Sequence, residues 1–168
     1  MIELQTDRLI MRQWRETDFD VYADYYSNPK TARFVGGQKS RDLAWRHMAS
    51  LVGHWELKGF GQWCVEERAS KSVVGCVGLW EPEGWPELEV GYWLTEAAQG
   101  KGYATESATQ ARDFAYDRLG AVTLVSYIDP ANEPSKRVAE RMGAQFEETI
   151  ELLSLGPHCV YRHPSPNR

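Results

Sequence analysis

The sequence has no block of basic residues. Its 19 lysines and arginines are outnumbered by 24 acids, for a formal net charge of −5. Bulk binding to nucleic-acid phosphates is therefore not indicated. Long hydrophobic runs are also missing. The longest, Val73 to Trp80, holds two glycines and falls far short of the roughly 18 residues of a membrane-spanning helix. The stretch Met1 to Asp7 carries acids early and no apolar core, so it does not read as a signal peptide. A cytoplasmic protein with neither nucleic acid nor membrane as partner is expected. Cysteine is scarce. Cys64, Cys76 and Cys159 form no C-x-x-C pair, and an odd count argues against a disulfide framework. They are expected to be small buried hydrophobes. The histidines, His47, His54, His158 and His163, lack metal spacing and no HExxH is present, so no metal is expected. Both common phosphate loops, GxxxxGK[ST] and GxGxxG, are absent.

What is present is one domain's length of chain, 168 residues with ordinary apolar and charged fractions. A single domain over residues 1–168 is expected, with the proline-bearing tail His163 to Arg168 loose. Arg8 to Trp14 reads as a first strand. Thr17 is a plausible cap of a helix ending near Ser27-Asn28-Pro29. Ser40 caps a second helix whose apolar face is Ala44, Met48, Leu51, Val52 and Trp55. Gln62 to Glu67 and Val73 to Leu79 read as a hairpin, and Leu88 to Leu94 as the next strand. A helix from about Ala104 to Leu119 presents Ala104, Ala108, Ala111, Phe114, Ala115 and Leu119. Ala121 to Tyr127 is a strand, Pro134 or Ser135 to Met142 a short helix, and Phe146 to Leu153 and Cys159 to Arg162 the last strands. This order gives an α+β or mixed α/β domain with a mostly antiparallel sheet. The strand–helix–strand unit from Leu88 to Tyr127 needs a parallel crossover.

The chain is organised around Gln99-Gly100-Lys101-Gly102-Tyr103-Ala104. A strand precedes it and a helix follows. Two glycines let backbone approach a ligand closely, and a helix's first turn offers unpartnered N–H groups and a positive dipole end to an anion. A tight turn alone would also explain the glycines.

Gln99-x-x-Gly102-x-Ala104 resembles the Q/R-x-x-G-x-G/A loop of the GCN5-related N-acetyltransferases (GNAT). Asn132-x-x-Ser135-x-x-Val138-Ala139-x-x-x-Met142-Gly143-Ala144 is similar to a later helix of that family. Gly75-x-Val77-Gly78-Leu79 and Leu88 to Leu94 look like its third and fourth strands. Thr6-Asp7-Arg8-Leu9 resembles the start of its RimJ/RimL-like ribosomal-protein branch. The resemblance implies a GNAT-like acyl-CoA N-acyltransferase fold of about six to seven strands and about four helices. It also implies an enzyme that moves an acetyl group from acetyl-CoA to an amine, working as a monomer or homodimer. In this reading two strands splay to open a cleft. Tyr92, Trp93, Leu94, Gln99, Gly100, Lys101, Gly102, Tyr103, Ala104, Thr105, Asn132 and Ser135 bind the acetyl-CoA. Many family members carry a tyrosine seven residues after the asparagine. Here that position is Ala139, a departure that also keeps open a CoA-binding sensor without turnover. A dinucleotide-binding redox domain would need a third glycine.

Amine acetylation sets chemical demands. A primary amine with pKa near 10.4 must lose a proton, at a cost of about 4 to 5 kcal/mol at pH 7. The thioester oxygen and the leaving thiolate need donors. Glu89, on the strand before the loop, is the candidate base, with Glu87 on the same face by alternation. A solvated or paired strand acid is the plain alternative. Glu147, Glu148 and Glu151 are weaker candidates. Ser135 is the candidate acid, or else only a helix cap. Lys101, Lys136 and Arg137 could meet phosphates. Of Trp63, Trp80, Trp85, Trp93, Tyr92 and Tyr103, most are expected in the core. The acceptor amine is open: a protein amino terminus, a polyamine, an amino acid or an amine-bearing small molecule.

Overall fold

The structure, a computed structural model, describes residues 2–165. Strands β1 (Leu4–Gln5) and β2 (Leu9–Arg12) are followed by helices α1 (Phe19–Ser27), α2 (Pro29–Ala32) and α3 (Arg41–Lys58). Strands β3 (Gln62–Glu67), β4 (Val73–Trp80) and β5 (Glu89–Leu94) lead to α4 (Tyr103–Leu119). Strand β6 (Val125–Ile128), α5 (Glu133–Arg141), β7 (Gln145–Glu151) and β8 (Pro157–Arg162) complete the order. The strands form one sheet in the order β1-β2-β3-β4-β5-β6-β8-β7. Among the described residues only β5 and β6 pair in parallel, and α4 supplies the crossover that a parallel pair requires. The GNAT-like mixed sheet expected from sequence is therefore present, and among the described residues it has eight strands and five α-helices rather than six to seven and about four.

Each face of the sheet has its own layer. On one face α4 buries Ala108, Ala111, Phe114 and Ala115 with Val90 and Leu94 of β5. Three of those four helix residues are alanine, so the helix axis lies close to the strands. On the other face α1 and α3 bury Tyr22, Tyr26, Met48 and Leu51 around Trp93. Alternation along β5 thus sends Val90, Tyr92 and Leu94 toward α4, and Glu89, Gly91 and Trp93 toward α1 and α3. This division positions the functional site.

Several local expectations are corrected. Thr17 lies inside a 3₁₀ turn, and the neighbouring Asp18 does the local capping: its carboxylate accepts the Arg15 N–H at 2.8 Å. Asp18 also takes two bonds from Arg12, at 2.8 and 2.9 Å, and Arg12 reaches Glu66 at 2.9 Å. The demand of a buried guanidinium for partners decides this turn. Val52 and Leu119 are exposed, at the edges of the faces drawn for their helices. Strand β6 starts at Val125 rather than Ala121. Pro29 opens α2 instead of only stopping α1, as a proline at the first helical position can. The tail is not loose at its start. His163 is buried and its N–H donates to the Leu124 carbonyl at 2.9 Å. Residues 166–168 lie outside the described residues.

Candidate active site

Strands β5 and β6 share one paired position, Glu89 with Val125, whereas β4 and β5 share six. Beyond Glu89 the two strands part. At the vertex the Ser126 hydroxyl donates to the Val90 carbonyl at 2.7 Å, where the next main-chain bond would otherwise fall. The Ser126 oxygen also lies 3.0 Å from His163 Nε2. Since the hydroxyl hydrogen is committed to Val90, His163 donates through Nε2. Its Nδ1 is buried without a partner. Burial, helped by Arg112, pushes the His163 pKa down to about 4, so the ring is neutral at physiological pH. Gly91 adds no side chain beside the gap. A Cβ there would sit 3.5 Å from Glu89 Oε1. A cavity of about 490 Å³ passes between the strands, with walls from both layers.

Glu89 forms the wall on the α1 and α3 side. It is half-buried, and its Oε2 accepts the indole N–H of Trp85 at 3.0 Å. Burial pushes its pKa up to about 8, against the pull of the Trp85 bond and the Tyr127 main chain. A carboxyl poised there can act as acid or base near neutral pH. Glu87 does not join it. Arg162 bonds both its oxygens at 2.9 Å and holds its pKa below the ordinary value. Arg162 also engages Glu147, while Glu148 and Glu151 are exposed on β7. Among the acids considered from sequence, only Glu89 lines the cavity.

On the α4 and α5 side the cavity meets Tyr92, Asn132 and Ser135. Ser135 is not the cap of α5. Asn132 takes that place, its Oδ1 accepting the Ser135 N–H at 3.3 Å. The Tyr92 hydroxyl donates to the Ser135 carbonyl at 2.8 Å. Burial raises the Tyr92 pKa, as does the Glu89 charge, so the phenol keeps its proton. Ala139 is fully buried, packed with Ile128, Ala144, Cys159 and Tyr161.

The glycine loop joins β5 to α4 on the same side. Gly102 is the N-cap of α4 at φ 83°, a left-handed conformation, and no side chain caps the helix. The first-turn N–H groups are therefore left for an external acceptor. Gln99 Nε2 donates to the Leu94 carbonyl at 3.3 Å and ties the loop to the strand end. Arg8, just before β2, clamps the loop: Nη1 donates to the Lys101 carbonyl at 2.9 Å and Nε to Glu106 Oε2 at 2.7 Å. Thr6 also donates to Glu106, at 2.5 Å. Lys101 is exposed, and Ala104 and Thr105 are half-buried in the first turn. The Tyr103 ring is buried and its hydroxyl is bound to Glu67 on β3, so only its main chain faces the loop's opening. Trp93 and Leu94 likewise bury their side chains. Lys136 is engaged by Glu133 at 2.8 Å. Trp63 is core, with its N–H on the Ile2 carbonyl at 2.9 Å.

Sequence reasoning missed Ser126, His163, Tyr127 and Arg8. Ser126 and His163 meet only through folding, 37 residues apart. For Arg8, an arginine two residues after a threonine offered a signal, but its partner Glu106 lies 98 residues on.

The family described as "Acetyltransferase (GNAT) domain" matches residues 8–145. An acetyltransferase from Agrobacterium tumefaciens str. C58 is 31% identical, with a TM-score of 0.90 over 98% of this chain and 95% of that one. The uncharacterized N-acetyltransferase YoaA of Bacillus subtilis (strain 168) is 26% identical over 88% of this chain and 85% of its own length. The aminoglycoside acetyltransferase AAC(6')-Ib, solved in complex with coenzyme A, shares the fold at TM-score 0.75 and 14% identity, over 92% of this chain and 94% of that one.

Proposed function

The chain belongs to the GNAT acetyltransferase family, and on that premise we propose that it moves the acetyl group of acetyl-CoA directly to a primary amine through the gap between β5 and β6. One observation carries this reading. The carboxyl of Glu89 faces one side of the gap, and the hydroxyl-bearing residues Tyr92 and Ser135 line the other. Base and acid are thereby separated by the place where a thioester would be attacked.

The residues fit acetyl-CoA as co-substrate. The uncapped first turn of α4 and the main chain of Gln99 to Thr105 offer N–H donors to a pyrophosphate. Beyond Glu89 no residue of β6 pairs with β5, and on that side the main chain from Tyr92 to Leu94, apart from the Leu94 carbonyl held by Gln99, is open to the amide-bearing pantetheine arm. Asn132 and Ser135 stand at the end of that arm's path. Glu89 accepts the amine proton, directly or through water. An arriving ammonium favours the ionised carboxylate, since opposite charges stabilise each other in a site of low dielectric. Ser135 donates a hydrogen bond toward the leaving sulfur, and Tyr92, whose hydrogen goes to the Ser135 carbonyl, holds that residue in place. We place the enzyme beside the RimJ/RimL-like branch on Thr6 and Arg8, which both fasten the loop helix through Glu106.

The test is release of CoA thiol with a panel of amines. Turnover is expected. Tight CoA binding without turnover on any amine would support a CoA sensor instead.

A further inference from the structure

The proposal concerns the acceptor, and it rests on the transferase reading above. We propose that the acceptor is a monoamine whose single ammonium enters at Glu89 and whose body is apolar and of aromatic size, not a polyamine or an amine-rich antibiotic.

The charges around the cavity carry the first part. Its lining holds the acids Glu89 and Asp129, the cation Arg33, and the histidines His47 and His158. Asp129 belongs to the α5 side, where its Oδ1 accepts the Ala131 N–H at 2.7 Å. Burial, with the nearby Lys39 charge, brings the His47 pKa down to about 4, so it adds no charge. Glu89 is then the one carboxylate on the acceptor side. The rim opposes further cations. Arg33 lies 4.7 Å over the Phe34 ring, and Lys39 lies 4.7 Å over the Tyr26 ring with its ammonium on the Gly36 carbonyl. A polyamine would find no second carboxylate on this side for its further ammonium groups, which would lie nearest these cations. A desolvated charge without a partner is strongly disfavoured.

The walls carry the second part. Trp80, Trp85, Tyr127, Leu152 and Leu155 line the acceptor half. Trp85 holds Glu89 through its indole N–H and meets Tyr127 edge-on at 5.9 Å. An ammonium at Glu89 therefore sits beside an aromatic ring, which attracts cations, and the remaining walls reward an apolar body by removing it from water.

The experiment measures thiol release at saturating acetyl-CoA with four acceptors: 2-phenylethylamine, spermidine, an aminoglycoside and a hexapeptide with a free amino terminus. We expect kcat/KM for 2-phenylethylamine to exceed each of the others at least tenfold. Equal or better use of any of the other three overturns the proposal and leaves the transferase reading standing. No release with any amine, by an enzyme that still binds CoA, overturns both. Leu155→Glu provides a second arm. Leu155 is half exposed at the cavity mouth, so the fold should tolerate a charge. A second carboxylate there should narrow the preference over spermidine at least threefold. An unchanged ratio would place the acceptor elsewhere and overturn the proposal.

Discussion

At the scale of single residues, Glu89 couples stability to pH as well as serving transfer. Its ordinary pKa near 4.5 applies in the unfolded chain, and the folded value is about 8. The folded protein thus favours the protonated form. The stability tied to this group is fully present below pH 4.5 and is lost as pH rises through 8. Glu89→Gln removes that loss, so the melting temperature of the variant relative to the parent should climb from pH 5 to pH 9. A flat difference across that range would contradict the burial argument. In kinetics the same variant should keep its CoA affinity and lose most of its transfer rate at pH 7. The loss should shrink toward pH 10, where the amine arrives neutral. A constant loss would mean that Glu89 is not the base. On the other side of the gap, Ser135→Ala should lower kcat more than it changes KM for acetyl-CoA, because a hydrogen bond to the thiolate strengthens only as the bond breaks. An unchanged kcat would leave the thiolate to water.

At the scale of elements, the loop and α4 act as one clamp. A side chain at Gly102 would have to adopt φ 83°, and its Cβ would lie 3.4 Å from Arg8 Nη2. The left-handed conformation costs a branched residue at least about 1 to 2 kcal/mol. Gly102→Val should weaken CoA binding at least tenfold by calorimetry while the far-ultraviolet circular dichroism stays that of the parent. Binding equal to the parent's would remove the loop from the phosphate site. Arg8 tests the clamp differently. Glu106 sits in the first turn of α4, and Arg8 both orients it and neutralises it, with Nη2 at 2.6 Å. Arg8→Ala leaves a bare carboxylate beside the expected pyrophosphate. CoA affinity should fall about tenfold, and Glu106→Gln in the same background should restore part of it. A double variant no better than Arg8→Ala would show that geometry alone, and not charge, is at stake.

At the scale of the whole molecule, the sheet and its crossover were legible because periodicity and glycine placement act locally. The strand Leu88 to Leu94, the loop at Gln99 and the helix to Leu119 could be read from neighbours along the chain. The face of Glu89 followed from alternation, but its surroundings did not. Trp85 lies in a proline-rich loop and Tyr127 on the strand beyond the crossover, and only folding brings them to it. The parting of β5 and β6 came only from the family resemblance and not from spacing, since the Ser126 bond to Val90 spans 36 residues. The tail misread at His163 has the same origin. Two prolines argued for a loose end, whereas burial of His163 behind Ser126 fastens that first residue. These features converge on the gap, so the most direct test is a crystal structure with a non-transferable acetyl-CoA analogue. The pyrophosphate should lie on the N–H groups of Gly102 to Thr105. The sulfur should lie beside Tyr92 and Ser135, and the carbonyl carbon in the gap, open to a nucleophile at about 3 to 3.5 Å from the Glu89 side. An analogue bound with its sulfur outside the β5–β6 gap, or with its pyrophosphate away from α4, would contradict transfer through that opening.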